Sequence, residues 1–131
     1  MENNICLDTD FLVHFLRKRK EETEFIAKNE TEKDIAMTFV SVFELYYGAY
    51  KSSAREQNLE AVARLIERIP VLQSSHEVMK KAGEILAGLE KEGKVVEFRD
   101  IFIGATCMAY GYGLKTGNKK HFEKISGLRL V

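Results

Sequence analysis

The sequence predicts an α/β domain in which helices pack against a mostly parallel β-sheet. The main observation is that short apolar runs alternate with longer amphipathic stretches along the chain, as in strand–helix–strand units. The composition, with 45% hydrophobic and 31% charged residues among 131, is typical of a globular protein rather than a disordered chain. Because there is one proline and we find no repeat, linker or low-complexity segment, residues 1–131 are expected to form a single domain.

The first half of the chain is predicted to form two strands, two amphipathic helices and one polar segment. Each strand is a short apolar run bounded by polar residues, and each amphipathic helix repeats its apolar residues at helical spacing. The polar segment is rich in Glu and Lys, and we interpret it as a short helix followed by a loop. In chain order these elements are a strand at 5–7, a helix at 10–20, the polar segment at 21–34, a strand at 36–40 and a helix at 41–51.

The second half is predicted to contain two long amphipathic helices, a buried helix, a short helix and three short strands. Pro70 ends the first long helix, because proline cannot continue the helical hydrogen bonds. Ser74 and Glu77 have the spacing of a capping box at the start of the second. The buried helix is apolar or small at nearly every position. In chain order the elements are a helix at 55–69, a strand at 71–72, helices at 75–91 and 101–109, a strand at 114–116, a helix at 119–125 and a strand at 128–131.

The charge and cysteine content argue against several classes of protein. Lys and Arg number 20 and Asp and Glu number 20, so the net charge is zero, which argues against nucleic-acid binding through bulk positive charge. Cys6 and Cys107 lie in apolar runs and are expected to be buried, reduced thiols. No stretch is long enough to span a membrane. Residues 1–4 lack the features of a signal peptide, so a cytoplasmic protein is expected.

Four polar residues stand at strand-to-helix junctions or helix starts: Asp8, Glu44, Asp100 and Asn118. Each has a simple structural explanation, since Asp and Asn cap helices and Glu44 has capping-box spacing from Ser41. However, ligands of open parallel sheets bind beyond the carboxyl ends of the strands. If these junctions share one edge of the sheet, three carboxylates converge there.

Converging carboxylates raise one another's pKa unless a cation neutralises them. Mg²⁺ and Mn²⁺ prefer oxygen ligands and leave positions for water and substrate phosphate. Such a site is suited to metal-assisted hydrolysis of phosphodiester bonds. The spacing therefore leaves two interpretations open, a set of helix caps and a metal site.

Four segments resemble the signature blocks of PIN domains, in the same order and at similar intervals. The resemblance covers nearly the whole chain, and a stand-alone domain of this size is most similar to the VapC-type toxins of prokaryotic toxin–antitoxin pairs. The segments are LDTDFL at 7–12, VSVFELYYGA at 40–49, RDIFIGAT at 99–106, and LKTGNKKHF at 114–122 with GL at 127–128.

The resemblance implies a three-layer α/β/α fold and endoribonuclease activity that depends on Mg²⁺ or Mn²⁺. It assigns Asp8, Glu44 and Asp100 to the metal-binding and catalytic cluster, and it places Asn118 where the family often has a fourth acid. Because a neutral amide adds no charge, one bound metal is expected rather than two. The resemblance also implies a homodimer and a cognate antitoxin protein.

We expect Asp8 and Asp100 to bind the metal and Glu44 either to bind it or to act as the general base for an attacking water. Nearby hydroxyls either support these acids or simply pack in the core, and they are those of Thr9, Ser41 and Thr116.

RNA is expected to contact two local concentrations of positive charge, for which the alternative is a set of solvated helix ends. The first consists of Arg17, Lys18, Arg19 and Lys20, and the second of Lys115, Lys119 and Lys120.

Two alternative functions are open at this point. The segment at 7–10 also resembles the opening motif of haloacid-dehalogenase-type phosphatases, although we find none of their later Lys and paired-Asp motifs. Because Asn118 stands in place of an acid, the other alternative is a PIN-like module that binds RNA or protein without useful catalysis.

Overall fold

The computed structural model describes residues 3–131. Met1 and Glu2, which belong to the expected domain and to the segment considered for a signal peptide, lie outside the described residues. Among the described residues, no helix is long and apolar enough to cross a membrane.

The sheet has four strands, all parallel, in the order β3-β2-β1-β4. Ile5 in β1 pairs with Ile35 on one side and with Gly113 on the other. The chain moves outward from β1 to β2 and β3, then returns to the opposite side of β1 for β4, so the strand order reverses at β1. The carboxyl end of β1 is therefore the place where such a sheet binds ligands. The strands are β1 (Asn4–Leu7), β2 (Asp34–Thr38), β3 (Val71–Leu72) and β4 (Gly113–Lys115).

Helices cover both faces of the sheet and bury two separate apolar cores. Successive side chains of a strand point to opposite faces, so Ile5 and Leu7 pack into one core and Cys6 into the other. The first four helices enclose the core around Ile5 and Leu7, and α5, α6 and α7 enclose the other. The helices are α1 (Thr9–Leu16), α2 (Lys20–Asn29), α3 (Phe39–Lys51), α4 (Arg55–Arg68), α5 (His76–Lys91), α6 (Phe98–Tyr110) and α7 (Lys119–Phe122).

This arrangement confirms the predicted three-layer α/β/α fold around a parallel sheet. It also confirms that Cys6 and Cys107 are buried, free thiols.

Several predicted boundaries were wrong for local reasons. The helix predicted at 10–20 ends at Leu16, because Lys18 takes a left-handed backbone with φ of 62°. The strand predicted at 36–40 ends at Thr38, whose hydroxyl accepts a hydrogen bond from the Ser41 N–H and caps α3. Ser41 is therefore not a helix cap. Ser75, rather than Ser74, caps α5.

The last two predicted elements are shorter than expected. The helix predicted at 119–125 ends at Phe122. The segment predicted as a strand at 128–131 contributes only an isolated parallel bridge between Leu130 and Leu114. The buried helix, in contrast, begins earlier than predicted, at Phe98, which brings Arg99 and Asp100 into its first turn.

Candidate active site

Asp8 lies where β1 ends and α1 begins, and its side chain is 1% exposed. Its Oδ1 atom accepts a hydrogen bond of 2.8 Å from the backbone N–H of Thr9, which caps α1. Its Oδ2 atom accepts one of 2.8 Å from the hydroxyl of Thr116, just after β4. The capping role expected for Asp8 is therefore present, but the residue also joins the two central strands at their carboxyl ends.

Glu44 reaches the same point from α3. Its Oε1 atom accepts a hydrogen bond of 2.6 Å from the Thr9 hydroxyl, and that hydroxyl lies 2.8 Å from the hydroxyl of Ser41. Because the Thr9 hydroxyl has a single proton, which it gives to Glu44, Ser41 is the donor in the second bond. The predicted hydroxyls of Thr9, Ser41 and Thr116 are thus all part of the network around the acids.

Asp100 approaches from the opposite layer of the fold, in the first turn of α6. It is buried, and its Oδ2 atom lies 3.7 Å from Nδ1 of His121 in α7. Asp8 after β1, Glu44 in α3 and Asp100 in α6 therefore meet at one place, which is the convergence expected if their junctions share one edge of the sheet.

The side chain at the centre of the three acids is Arg99. Its Nη2 atom lies 3.2 Å from Asp8, its Nε atom 2.5 Å from Glu44 and its Nη1 atom 2.8 Å from Asp100. We call the three acids around it the carboxylate cluster. The sequence analysis missed Arg99, although it directly precedes Asp100. The signal that could have found it is the need of three converging carboxylates for a counter-charge.

Burial and charge oppose each other in the carboxylate cluster. Burial raises the pKa of Asp8 above its ordinary value, and it outweighs the positive charge of Arg99 and the hydrogen bonds from Thr116 and Thr9, which lower it. Burial lowers the pKa of Arg99, but the hydrogen bond to Glu44 and the charges of Asp8 and Glu44 raise it further, so the net direction is upward. Arg99 therefore remains fully charged.

Asn118 adjoins the carboxylate cluster at the start of α7. Its backbone N–H donates a hydrogen bond of 3.0 Å to the Thr116 hydroxyl, and its side chain is exposed and makes no capping hydrogen bond. The expectation that its amide caps α7 was wrong. The preceding Gly117 donates through its N–H to Asp10 at 3.1 Å, and a Cβ atom there would meet the same carboxylate oxygen at 2.6 Å.

The members of the two predicted basic groups lie in different surroundings. Arg17 shares a groove with Glu44, whereas Lys18 and Lys20 line a different groove between α1, α2 and α4. In the second group, Lys115 places its ammonium over the Phe25 ring, 5.3 Å from the centroid.

Three further members of the basic groups are exposed, namely Arg19, Lys119 and Lys120. The two lysines directly follow Asn118 in the chain.

The donors of the carboxylate cluster are chemically suited to Mg²⁺ or Mn²⁺, because both cations prefer carboxylate oxygens. In the described part of the chain, however, no three His, Cys, Asp or Glu side chains are arranged so that they could hold a metal ion. The reason is visible in the geometry, since the guanidinium of Arg99 stands between the three carboxylates. The donor atoms are therefore of the kind that a hard cation binds, but in this structure they are arranged around the guanidinium of Arg99.

The family of the chain follows from its match to known sequences. A model of the PIN domain matches residues 5–128, which is almost the full length. The chain belongs to the PIN-domain family. This membership accounts for the predicted signature blocks and displaces the phosphatase interpretation.

This PIN domain is similar to known ribonucleases over most of its length. It is 30% identical over 124 residues to Ribonuclease VapC2 of Haemophilus influenzae, an alignment that covers 94% of this chain and 92% of that protein. It is also 30% identical over 129 residues to the tRNA(fMet)-specific endonuclease VapC of Shigella flexneri, with 98% and 92% covered. The PIN domain is thus a nuclease of the VapC type.

Solved structures give the same result for the fold. The DNA-bound VapBC of Salmonella typhimurium contains a chain that matches the PIN domain with a TM-score of 0.91 and 30% identity, covering all of this chain and 98% of that one. VapBC2 of Rickettsia felis, bound to a DNA fragment from its promoter, matches with a TM-score of 0.90 and 25% identity, covering 97% and 96%.

Proposed function

We propose that this PIN domain is an endoribonuclease that hydrolyses RNA phosphodiester bonds with Mg²⁺ or Mn²⁺ as its cofactor. The observation that carries the proposal is the convergence of Asp8, Glu44 and Asp100 on one point where the strand order reverses. RNA as the substrate class is supported by similarity to proteins named ribonuclease and tRNA-specific endonuclease.

In the proposed mechanism, Asp8 and Asp100 hold the metal, and Glu44 orients the attacking water and accepts its proton. The metal, when bound, supplies a positive charge that polarises the scissile phosphate. Glu44 is suited to its role because its side chain is 25% exposed, against 1% for Asp8 and 5% for Asp100. Water that enters the site therefore reaches Glu44 most easily.

The surrounding hydroxyls hold these acids in place. Thr116 donates to Asp8 and Thr9 donates to Glu44, so each acid has one oxygen fixed by the protein. Asn118 lies at the rim, where its exposed amide is proposed to position substrate or water. Because it adds no negative charge, one bound metal is proposed.

RNA is proposed to bind across the rim through phosphate contacts from Arg17 and from Lys119 and Lys120. Arg17 shares a groove with Glu44, and the two lysines follow Asn118 in α7. A local basic surface of this kind is compatible with a net charge of zero, because the acids that balance it include the carboxylate cluster. We also propose a cytoplasmic location, which is where an RNA substrate would be met.

The protein is also proposed to be the toxin of a toxin–antitoxin pair, to pair with a cognate antitoxin and to form a homodimer. Support for an antitoxin partner comes from the solved structures of the relatives, which are VapBC assemblies.

Substitution of Asp8 by Asn tests the metal-dependent activity. We expect Asp8→Asn to reduce the initial rate of Mg²⁺-dependent cleavage of RNA by about 100-fold or more, because the lost charge would help to hold the metal that stabilises the transition state. The Asn side chain can still accept the hydrogen bond from Thr9, so the fold is retained. Glu30→Gln is the matched control, since Glu30 also pairs with an arginine but lies elsewhere, with Arg68.

Wild-type activity in the Asp8→Asn variant would contradict the proposed site. If the unmodified protein bound RNA but did not cleave it at any concentration of Mg²⁺ or Mn²⁺, the binding-module interpretation would replace the proposed enzyme.

A further inference from the structure

Arg99 divides its guanidinium among three different carboxylates. Each of its three nitrogen atoms contacts one acid, at 2.5 Å for Glu44, 2.8 Å for Asp100 and 3.2 Å for Asp8. Each acid in turn gives Arg99 one oxygen and turns the other toward another group of the protein. Those groups are the Thr116 hydroxyl for Asp8, the Thr9 hydroxyl for Glu44 and the His121 ring for Asp100.

The oxygens that face the centre of the carboxylate cluster are therefore the ones that Arg99 occupies. A divalent cation shared by the three acids needs these same oxygens, because the others are already directed at Thr116, Thr9 and His121. The absence of a metal-competent group among the described residues agrees with an arginine that keeps the acids apart. The guanidinium and a divalent cation cannot both occupy the centre, since their charges repel at contact distance.

We propose that Arg99 is the resident counter-ion of the carboxylate cluster, and that a divalent cation has to displace it in order to bind. This inference rests on the proposed function, because it takes the carboxylate cluster to be the metal site. In the free protein Arg99 neutralises part of the negative charge and prevents the acids from repelling one another. The measured metal affinity then equals the intrinsic affinity multiplied by the fraction of molecules in which Arg99 has left the centre.

The position of Arg99 allows this exchange. Its side chain is 31% exposed, against 25% for Glu44, 5% for Asp100 and 1% for Asp8, so the arginine is the most exposed of the four and has a route to solvent. It lies in the first turn of α6, where a long side chain can swing outward while the helix stays in place. A single positive charge is also a weaker partner for three carboxylates than a divalent ion is.

Mn²⁺ binding to the metal-free protein tests this inference without any measurement of activity. We expect Arg99→Gln to bind Mn²⁺ about tenfold more tightly than the wild type, or better, in isothermal titration calorimetry, because the competitor is gone. Arg99→Lys is expected to lie between the two, since an ammonium is a compact charge that cannot contact three acids as the planar guanidinium does. The control is Arg68→Gln, which removes an arginine bound to Glu30 and is expected to leave Mn²⁺ affinity unchanged.

A purely structural role of Arg99 gives the opposite result, since loss of a residue that shapes the site weakens metal binding. If Arg99→Gln bound Mn²⁺ equally or more weakly while the wild type bound it, the inference would be wrong and the proposed function would stand. If neither the wild type nor any Arg99 variant bound Mn²⁺, both would be contradicted. Should Arg99→Gln fail to fold without metal, the order of the wild type and Arg99→Lys decides the matter in the same way.

Discussion

Two arginines in this protein bind carboxylates through several nitrogens, and the two sites differ in what they do to the acid. Arg68 donates from Nε and Nη2 to both oxygens of Glu30, at 3.1 Å and 2.9 Å. This hydrogen-bonded pair lies at the surface, and it lowers the pKa of Glu30. Arg99 serves three acids at once, and the pKa of Asp8 is nevertheless raised, because burial outweighs the arginine.

The difference shows that a neighbouring guanidinium does not by itself lower the pKa of a carboxylate. Glu30 keeps much of its hydration, so its pair with Arg68 adds a small stabilisation. Asp8 has lost its hydration, which costs free energy. Because it shares one guanidinium with two other acids, that guanidinium offsets only part of the cost. The surface pair adds little stability. In the carboxylate cluster, the positive charge of Arg99 only partly balances the negative charge of the three acids. Perturbed acids of this kind are typical of functional sites.

The largest difference between the two arginines is expected in the free energy of unfolding. In EDTA, Arg99→Gln should lose about 3 kcal/mol, because it leaves two buried carboxylates without a positive charge beside them. Arg68→Gln should lose less than about 1 kcal/mol. Urea unfolding followed by circular dichroism measures both, and equal losses would show that the carboxylate cluster is no more dependent on its arginine than the surface pair is.

A second prediction concerns the hydroxyl that helps Arg99 to stabilise Asp8. Thr116→Val removes the hydrogen bond to Asp8 Oδ2 and should reduce the rate of RNA cleavage by about tenfold, as loss of a group that orients a metal ligand does. The matched control is Thr106→Val, since Thr106 is also buried but donates to the carbonyl of Phe102 within α6. The initial rate at saturating Mg²⁺ is the measurement, and an equal effect of the two substitutions would remove Thr116 from the site.

The smallest expected effect is on the pH dependence of stability, and it has opposite signs at the two sites. The pKa of Glu30 is lowered by folding from 4.5, so its contribution to stability is present above that value and lost as the pH falls. The pKa of Asp8 is raised from 3.8, so its contribution is present below that value and lost as the pH rises through the folded pKa.

These signs are separable by substitution. In EDTA, Glu30→Gln should lose less stability than the wild type on acidification, and Asp8→Asn should gain stability relative to the wild type as the pH rises toward neutrality. Urea unfolding at a series of pH values measures both. A shift of the same sign in the two variants would contradict the assignment of burial as the dominant influence on Asp8.

The sequence was sufficient for the fold, because the fold depends on local patterns, and it named the three acids that the structure brings together. Their catalytic role stays a prediction. Apolar runs and helical spacing located all four strands, and the position of Asp8 directly after a strand placed it at the sheet edge. The signature blocks then named Glu44 and Asp100 as its companions.

What the sequence could not supply depended on three-dimensional proximity. Nothing in the spacing says that Arg99 contacts Asp8, because 91 positions separate them. The break after Leu16 was missed because it depends on the left-handed backbone of Lys18, a conformation that residues other than glycine adopt only occasionally. That break also separates Arg17, which reaches the groove beside Glu44, from Lys18 and Lys20, which do not.

The pairing of β1 with β4 has a consequence for folding of the chain during its synthesis on the ribosome. Asp8 is synthesised before two of its partners, since Arg99 follows it by 91 positions and Thr116 by 108. Domains fold as units as the chain emerges, and β1 cannot pair with its last neighbour until β4 has emerged. A nascent chain therefore carries Asp8 long before the carboxylate cluster can form, and the ribosome that makes this nuclease encounters a complete site only after β4 has been synthesised.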